Sequence, residues 1–383
     1  MKLIRSLCLV AAALACLPPA AIAQKGEFIA YVGTYTRQNS KGIYAWRFDA
    51  ATGKLTSIGL VGETSNPSFL AIHPNHRFLY AVNENNTFEG QPGGSVSAFS
   101  IDAATGQLKA LNQVSTGGPG PCHVSLDKTG KWLFVANYGG GSVAAFPVHD
   151  DGSLGKSSTF VQHTGTSVDP QRQRRPYGHS ANPSPDGRFV LVADLGLDQV
   201  LTYPIDKVKG MAATANPIAK IAPGSGPRHM AFHPKGKYAY LASEMAATVT
   251  AFSYDSSKGG LKELQTISML PKDFTGTKGA AEIAVHPSGK FLYASNRGSA
   301  DSIAVFSIDA AKGTLTAVEY VSTGGKNPRN FAIDPTGAYL FAANQDSASV
   351  VVFRIDRKTG KLTPTGDKLD VPFPVCVTFL AVK

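Results

Sequence analysis

The chain reads as an all-β, seven-bladed β-propeller with four antiparallel strands per blade, and three observations predict it. One short pattern occurs seven times, successive copies start 46 to 56 residues apart, and the seventh copy is divided between the two ends of the chain. The six whole copies begin at Phe69, His123, His179, His229, Glu282 and Asn330, and each has the form of HMAFHPKGKYAYLASE. A first strand leads through a Pro/Asp/Gly turn into a second strand of alternating apolar residues. A Gly-containing loop and two more strands follow, as in GSVSAFSID and LKALNQVS, with an Asp-x-x-x-Gly-x-Leu type of turn between them.

The two ends supply the closure. FIAYVGTYT (28–36), GIYAWRFD (42–49) and LTSIGLVGE (55–63) match the second, third and fourth strands of the unit, and the missing first strand returns only as PVCVTFLAV (374–382). Three N-terminal strands plus one C-terminal strand therefore complete a blade, which closes the ring and leaves no lateral sheet edge exposed. The 39 Gly and 24 Pro suit many tight turns, and no helical period competes with the strands.

Residues 1–23 are expected to be a cleaved signal peptide and 24–383 the propeller domain. Lys2 and Arg5 precede an apolar run, and Ala21-Ile22-Ala23 has the small-x-small form of a cleavage site. The expected location is thus periplasmic or extracellular. The apolar run falls short of the roughly 20 residues a spanning helix needs, so no membrane span is expected. Cys8 and Cys16 leave with the signal. Cys122 and Cys376 start strands two blades apart, beyond the ~7 Å Cα separation a disulfide tolerates, and are expected as free thiols.

The net charge of +10 suits acidic small molecules, but no nucleic-acid motif accompanies it and no nucleic-acid partner is expected. The densest basic cluster, Arg172-Gln173-Arg174-Arg175, lies in the longest connection, where it reads either as a solvated loop or as an anion-attracting rim. A closed ring offers no edge for pairing, so a monomer is the expected state.

Residues just before the first strand and just after the second emerge on the same rim and surround the channel mouth. An Asn, Asp or Ser recurs after the second strand, and a repeated residue there caps a repeated loop. The non-repeating rim residues, His179, Arg228, Glu244, Glu282 and Arg297, carry the chemical information. Histidine can abstract a proton near neutral pH, the arginines can clamp a carboxylate or an oxyanion, and Glu244 can orient the histidine or a water. The catalytic set expected is His179, Arg228, Glu244 and Arg297, with His123, Asn137, Tyr138, Asp194, His229, Glu282 and Arg329 as substrate-binding residues. No Gly-x-Ser-x-Gly elbow, Walker loop, His-Glu-x-x-His or Cys-x-x-Cys occurs, which argues against serine catalysis, nucleotide hydrolysis and a zinc site. No cofactor is expected and no metal ligands are assigned, although channel Asn and Glu are side chains of the type calcium takes.

The runs YVGTYT (31–36), GPCHVSLDKTGKWLFVANYGGGSV (120–143), RRPYGHSANPSPDGRFVLVADLGLDQV (174–200), GPRHMAFHPKGKYAYLASE (226–244) and ASNRGSADSIAVF (294–306) resemble the seven-bladed propeller lactonases. That family includes cycloisomerase-type 6-phosphogluconolactonases and carboxymuconate cyclases. The resemblance spans essentially the whole mature chain and implies an active site of one histidine, two arginines and a glutamate, which fall on His179, Arg228, Arg297 and Glu244. Where the family commonly has Pro-His-x-His, this chain has Pro-Tyr-Gly-His, so Tyr177 replaces a histidine. The resemblance implies metal-independent opening of a small anionic or sugar lactone. Export favours an unphosphorylated or exogenous lactone over a cytoplasmic phosphorylated one. Two alternatives share the same residues: a muconate-type lactonising cyclase, and an exported binding or scaffold propeller without catalysis.

Overall fold

The computed structural model describes residues 26–382, and the signal peptide expected over 1–23 lies outside the described residues. Seven antiparallel sheets form the ring. Blade 1 joins Leu55–Glu63, Gly42–Asp49 and Glu27–Thr34 to the C-terminal Pro374–Ala381, which is the closure expected from the divided copy. Blades 2 to 7 follow in chain order, with innermost strands Pro67–Ile72, Pro121–Leu126, Gly178–Pro183, Pro227–Phe232, Ala280–Val285 and Pro328–Ile333. Among the described residues there is one 3₁₀ turn, Gln345–Ser347, and no helix long and apolar enough to cross a membrane.

The core lies between blades rather than at the ring centre. Seven apolar clusters each join two neighbouring sheets; one, for example, packs Tyr80, Val82 and Val96 of blade 2 against Leu133, Val135 and Phe146 of blade 3. Both faces of each sheet are therefore covered, which explains why second strands such as Phe78–Asn83 and Phe291–Asn296 are buried at every position. The outermost strands keep a water-facing side, and their burial alternates accordingly, as in Leu108–Ser115.

Three details depart from the simple repeat. The innermost strands start one or two residues upstream of the positions expected from the pattern, and each carries a register shift there, as between Pro227 and His229. Blade 4 has its outer strand in two short pieces, Gly210–Met211 and Ile218–Lys220, with Pro217 in the stretch between them. In blade 2 the loop after the second strand contains a small hairpin, Thr87–Phe88 with Gln91–Pro92. Cys122 and Cys376 are free and buried, as expected.

Candidate active site at the channel mouth

The register shift at the head of each innermost strand decides what faces the mouth. A β-bulge places an extra residue opposite one partner and re-aims its side chain. By the repeat, the bulged position is Ser68, Cys122, His179, Arg228, Ala281, Arg329 and Val375 around the ring, and the next position is Phe69, His123, Ser180, His229, Glu282, Asn330 and Cys376. His179, Arg228 and Arg329 are thus equivalent residues from three blades.

Glu244, directly after the second strand of blade 5, is the hub of the mouth. Its Oε2 accepts from Arg228 Nε at 3.2 Å and pairs with Arg297 Nη2 at 2.9 Å, and its Oε1 accepts from Arg172 Nη2 at 2.6 Å. His179 Nε2 stands 3.9 Å from the same carboxylate. Burial alone would raise the Glu244 carboxyl, but Arg297, Arg228 and Arg172 outweigh it and bring it down to about 2. At neutral pH this residue is a fixed anion rather than a proton donor. Its expected part in orienting the histidine is secondary to holding three guanidiniums.

The arginines outnumber their partners. Arg228 is buried, donates through Nη1 to the Ala281 carbonyl at 2.6 Å, and is lowered to about 10 by burial and then by Arg297 and Arg329. Arg297 donates to the Ala280 carbonyl at 3.2 Å, and its buried Nε has no protein partner. Across the mouth, Arg329 Nη2 lies 3.8 Å from Glu84, whose carboxylate also accepts from the Tyr35 hydroxyl at 2.9 Å. Four guanidiniums therefore surround two carboxylates. Such a surplus of positive charge, with Arg228 buried and one Arg297 donor idle, is the kind of environment an anion would suit.

His179 is 4% exposed, and burial, followed by Arg228, His229 and Arg329, holds its pKa well below the usual 6.5. It is a neutral base at physiological pH. Tyr138 flanks it, with ring centroids 5.1 Å apart, and Tyr177 packs on Tyr138 at 4.9 Å. The Cys122 thiol donates to the His179 carbonyl at 3.2 Å and is pushed up to about 12 by burial, so it stays protonated. A cavity of about 550 Å³ opens on the Glu244 side of the mouth, lined by Arg172, Glu244 and Arg297 together with Lys278, Asp301 and Lys326; His179 and Arg228 do not line it.

The expected catalytic residues His179, Arg228, Glu244 and Arg297 are all brought together. Of the expected substrate-binding residues, Tyr138 and Arg329 border the mouth. Asn137 and Asp194 do not: both are fully buried and serve the loops instead. Asn137 Nδ2 donates to the Thr116 carbonyl at 3.2 Å, and Asn83, Asn296 and Asn344 donate in the same way to Ser65, Met269 and Thr323, each on the segment that leaves the preceding blade. Asp194 accepts from Tyr177, Gly196 and Leu197 backbone N–H groups and pairs with His163 Nδ1 at 2.6 Å. His123, His229 and Glu282 are buried one residue further along the innermost strands, and His229 Nδ1 bonds Glu282 Oε1. Arg172 and Tyr35 were absent from the expected set. Arg172 belongs to the basic cluster that reads equally as solvated loop, and Tyr35 stands one residue beyond a strand end, within the YVGTYT run but with nothing to set it apart as a site residue.

Comparisons with known proteins identify the family. A family model described as lactonase, 7-bladed beta-propeller, matches residues 29–379. The 6-phosphogluconolactonase of Bacillus subtilis is 41% identical over 92% of this chain and 99% of that protein, and that of Formosa agariphila is 37% identical over 89% and 96%. The solved structure of the Pseudomonas aeruginosa periplasmic gluconolactonase superposes with a TM-score of 0.87 at 35% identity, covering 93% of this chain and all of that one. With its ring, its divided closing blade and its match along the whole described length, the chain belongs to the lactonase family of seven-bladed β-propellers.

Proposed function

We propose that this lactonase is exported and hydrolyses an unphosphorylated sugar lactone or another small lactone without a metal. The observation that carries the mechanism is the convergence of neutral His179 with Arg228 and Arg297, the latter keeping a buried, unpartnered Nε. Export rests on the signal-like residues 1–23, and the resemblance to a protein named a periplasmic gluconolactonase supports it.

His179 takes a proton from a water as its oxygen adds to the lactone carbonyl carbon. The oxyanion of the tetrahedral intermediate is received by the Arg228 and Arg297 guanidiniums, which Glu244 holds in place before the substrate arrives. Collapse breaks the bond to the ring oxygen, which leaves with the proton held by the histidine. The product is a hydroxy acid that ionises and releases one proton. Arg172, Tyr138 and Arg329 border the substrate.

A proton-release assay of residues 24–383 against aldonolactones, a 6-phosphorylated lactone and simple lactones, with and without a chelator, tests this. Acid release that survives chelation and disappears in His179→Ala is expected. Silence across the panel, with parent and variant equally inert, would overturn it.

A further inference from the structure

We infer, resting on the lactonase reading, that His229 and Glu282 form a carboxylate–imidazole pair that accepts the catalytic proton from His179 and hands it back during ring opening. His229 is then a positioning and relay residue, not the substrate contact expected from the rim pattern.

The two side chains occupy the same repeat position in adjacent blades, 5 and 6. His229 Nδ1 and Glu282 Oε1 are 3.0 Å apart, and because the carboxylate can only accept, the neutral imidazole carries its proton on Nδ1. Glu282 is itself held. Its Oε1 accepts from Ile283 N–H at 2.9 Å and its Oε2 from Asn330 Nδ2 at 2.6 Å, while Asn330 Oδ1 accepts from Val377 N–H at 2.9 Å. Four blades thus contribute to fixing one imidazole.

That tautomer leaves the other nitrogen as a bare lone pair. His229 Nε2 is buried and has no protein partner. A buried polar atom with nothing to bond calls for an explanation. The His179 ring lies 5.1 Å away between centroids, His123 5.3 Å and Phe69 5.6 Å, all nearly edge to face. The unpartnered nitrogen belongs to a ring directly behind the catalytic base.

Electrostatics give the pair a purpose. Once protonated, His179 is a buried cation near Arg228 and Arg329, and Glu244, 3.9 Å away, is already shared by three guanidiniums. His229 also feels Arg228 and Arg329, but it has Glu282 in direct contact. The Cys122 thiol and neutral His123 add no counter-charge. Burial lowers both His179 and His229, and only His229 has a carboxylate in direct contact to offset it. The proton removed from the attacking water passes from His179, whose Nδ1 also lies 3.6 Å from Cys122 Sγ, to His229 Nε2 across the contact of the two rings, then returns to leave with the ring oxygen. No other reactant is needed.

Two measurements on residues 24–383 test the pair. In an ¹⁵N-histidine NMR titration, His229 is expected to take up a proton at higher pH than His179, and Glu282→Gln to reverse that order. Protonation of His179 first in the parent would overturn the proposal whatever the substrate. In lactone kinetics, His229→Gln is expected to lower kcat by roughly 10- to 100-fold with little change in KM. A solvent-isotope proton inventory should change from curved to linear. Glu282→Gln should move the acid limb of kcat to lower pH, because the group whose protonation stalls the relay has lost its carboxylate. An unaltered kcat, or a fall in kcat with the pH limb and inventory unchanged, would mean a structural role and overturn the relay. If His229→Gln does not fold, the near-isosteric Glu282→Gln decides. A parent inactive on every lactone would remove the lactonase reading, while the NMR order would still judge the pair.

Discussion

The two rims of this ring are built from the same repeat yet do opposite things. On the turn rim, side chains recur and most are tied to the next blade, although the buried Tyr240 hydroxyl has no partner. His73, His233 and His286 donate to the carbonyls of Gly130, Gly289 and Gly337 in the next blade, at 3.0, 3.0 and 2.8 Å. Their other nitrogens accept from the backbone two residues on. Those glycines have φ near +70°, and a Cβ at Gly130 would stand 2.2 Å from the His73 ring, so both conformation and space exclude a side chain there. Tyr31, Tyr80 and Tyr293 make equivalent ties to Gly106, Gly152 and Gly360. On the mouth rim the equivalent positions hold Ser, Cys, His, Arg, Ala, Arg and Val, charges gather without balancing, and donors stay idle. Repetition with satisfied bonds marks the part of the molecule that holds the ring together. Divergence with unspent bonding capacity is the character of the part proposed to take the substrate.

If that division is right, substitutions on the two rims should separate stability from turnover. The largest effect should come from His179→Ala and Arg297→Ala, which remove the base and an oxyanion donor. Losses of about 10² to 10⁴ and about 10² to 10³ in kcat are expected respectively, with melting temperatures near the parent's. Near-normal rates in both would break the comparison. Because His179 resists protonation, kcat/KM for the parent should hold as pH falls through 6.5, the value of an unperturbed histidine, and fail only below it.

Glu244→Gln should cost both rate and stability, since it strands buried guanidiniums. About 3 to 5 kcal/mol is the usual cost of breaking a buried pair. The carboxyl titrates at about 2 in the folded chain against an ordinary 4.5, so the stability it contributes is complete above 4.5 and is lost as pH falls toward 2. Acid-unfolding curves of the variant should lack that part of the slope.

Arg172→Gln is expected to act mainly on binding, because this guanidinium reaches the mouth from a loop and is partly exposed. A rise in KM of about 5- to 30-fold, corresponding to roughly 1 to 2 kcal/mol, with kcat little changed, would fit. A purely solvated loop would leave KM alone. The smallest effect should come from the other rim. His233→Ala should lose about 0.5 to 1.5 kcal/mol in denaturant unfolding and leave kcat unchanged. Loss of turnover there would show that the rims are not independent.

Much of this was legible before the coordinates. The blade count, the divided closing blade and the four-residue core of the site follow from where the repeat is kept and where it is broken. Strand starts were misplaced by one or two residues because the bulge inserts a residue that leaves no mark in an alternating pattern. Asn137 and Asp194 were assigned to substrate although the recurrence of Asn and Asp at that position is the signature of a loop cap. Arg172 was ambiguous because a run of arginines looks the same whether its loop points into water or folds across a carboxylate.

Sequence alone determined the ring, because a strand's burial alternates or not according to whether one or both of its faces are covered, and that period is written residue by residue. Only the tertiary structure decided the chemistry. Arg172 meets Glu244 across 72 residues of chain, and His229 meets Glu282 across 53. Such contacts exist only once seven separately patterned sheets close around one axis. Charge balance, burial and the direction of a bulged side chain are properties of that closure, so no local stretch of sequence contains them.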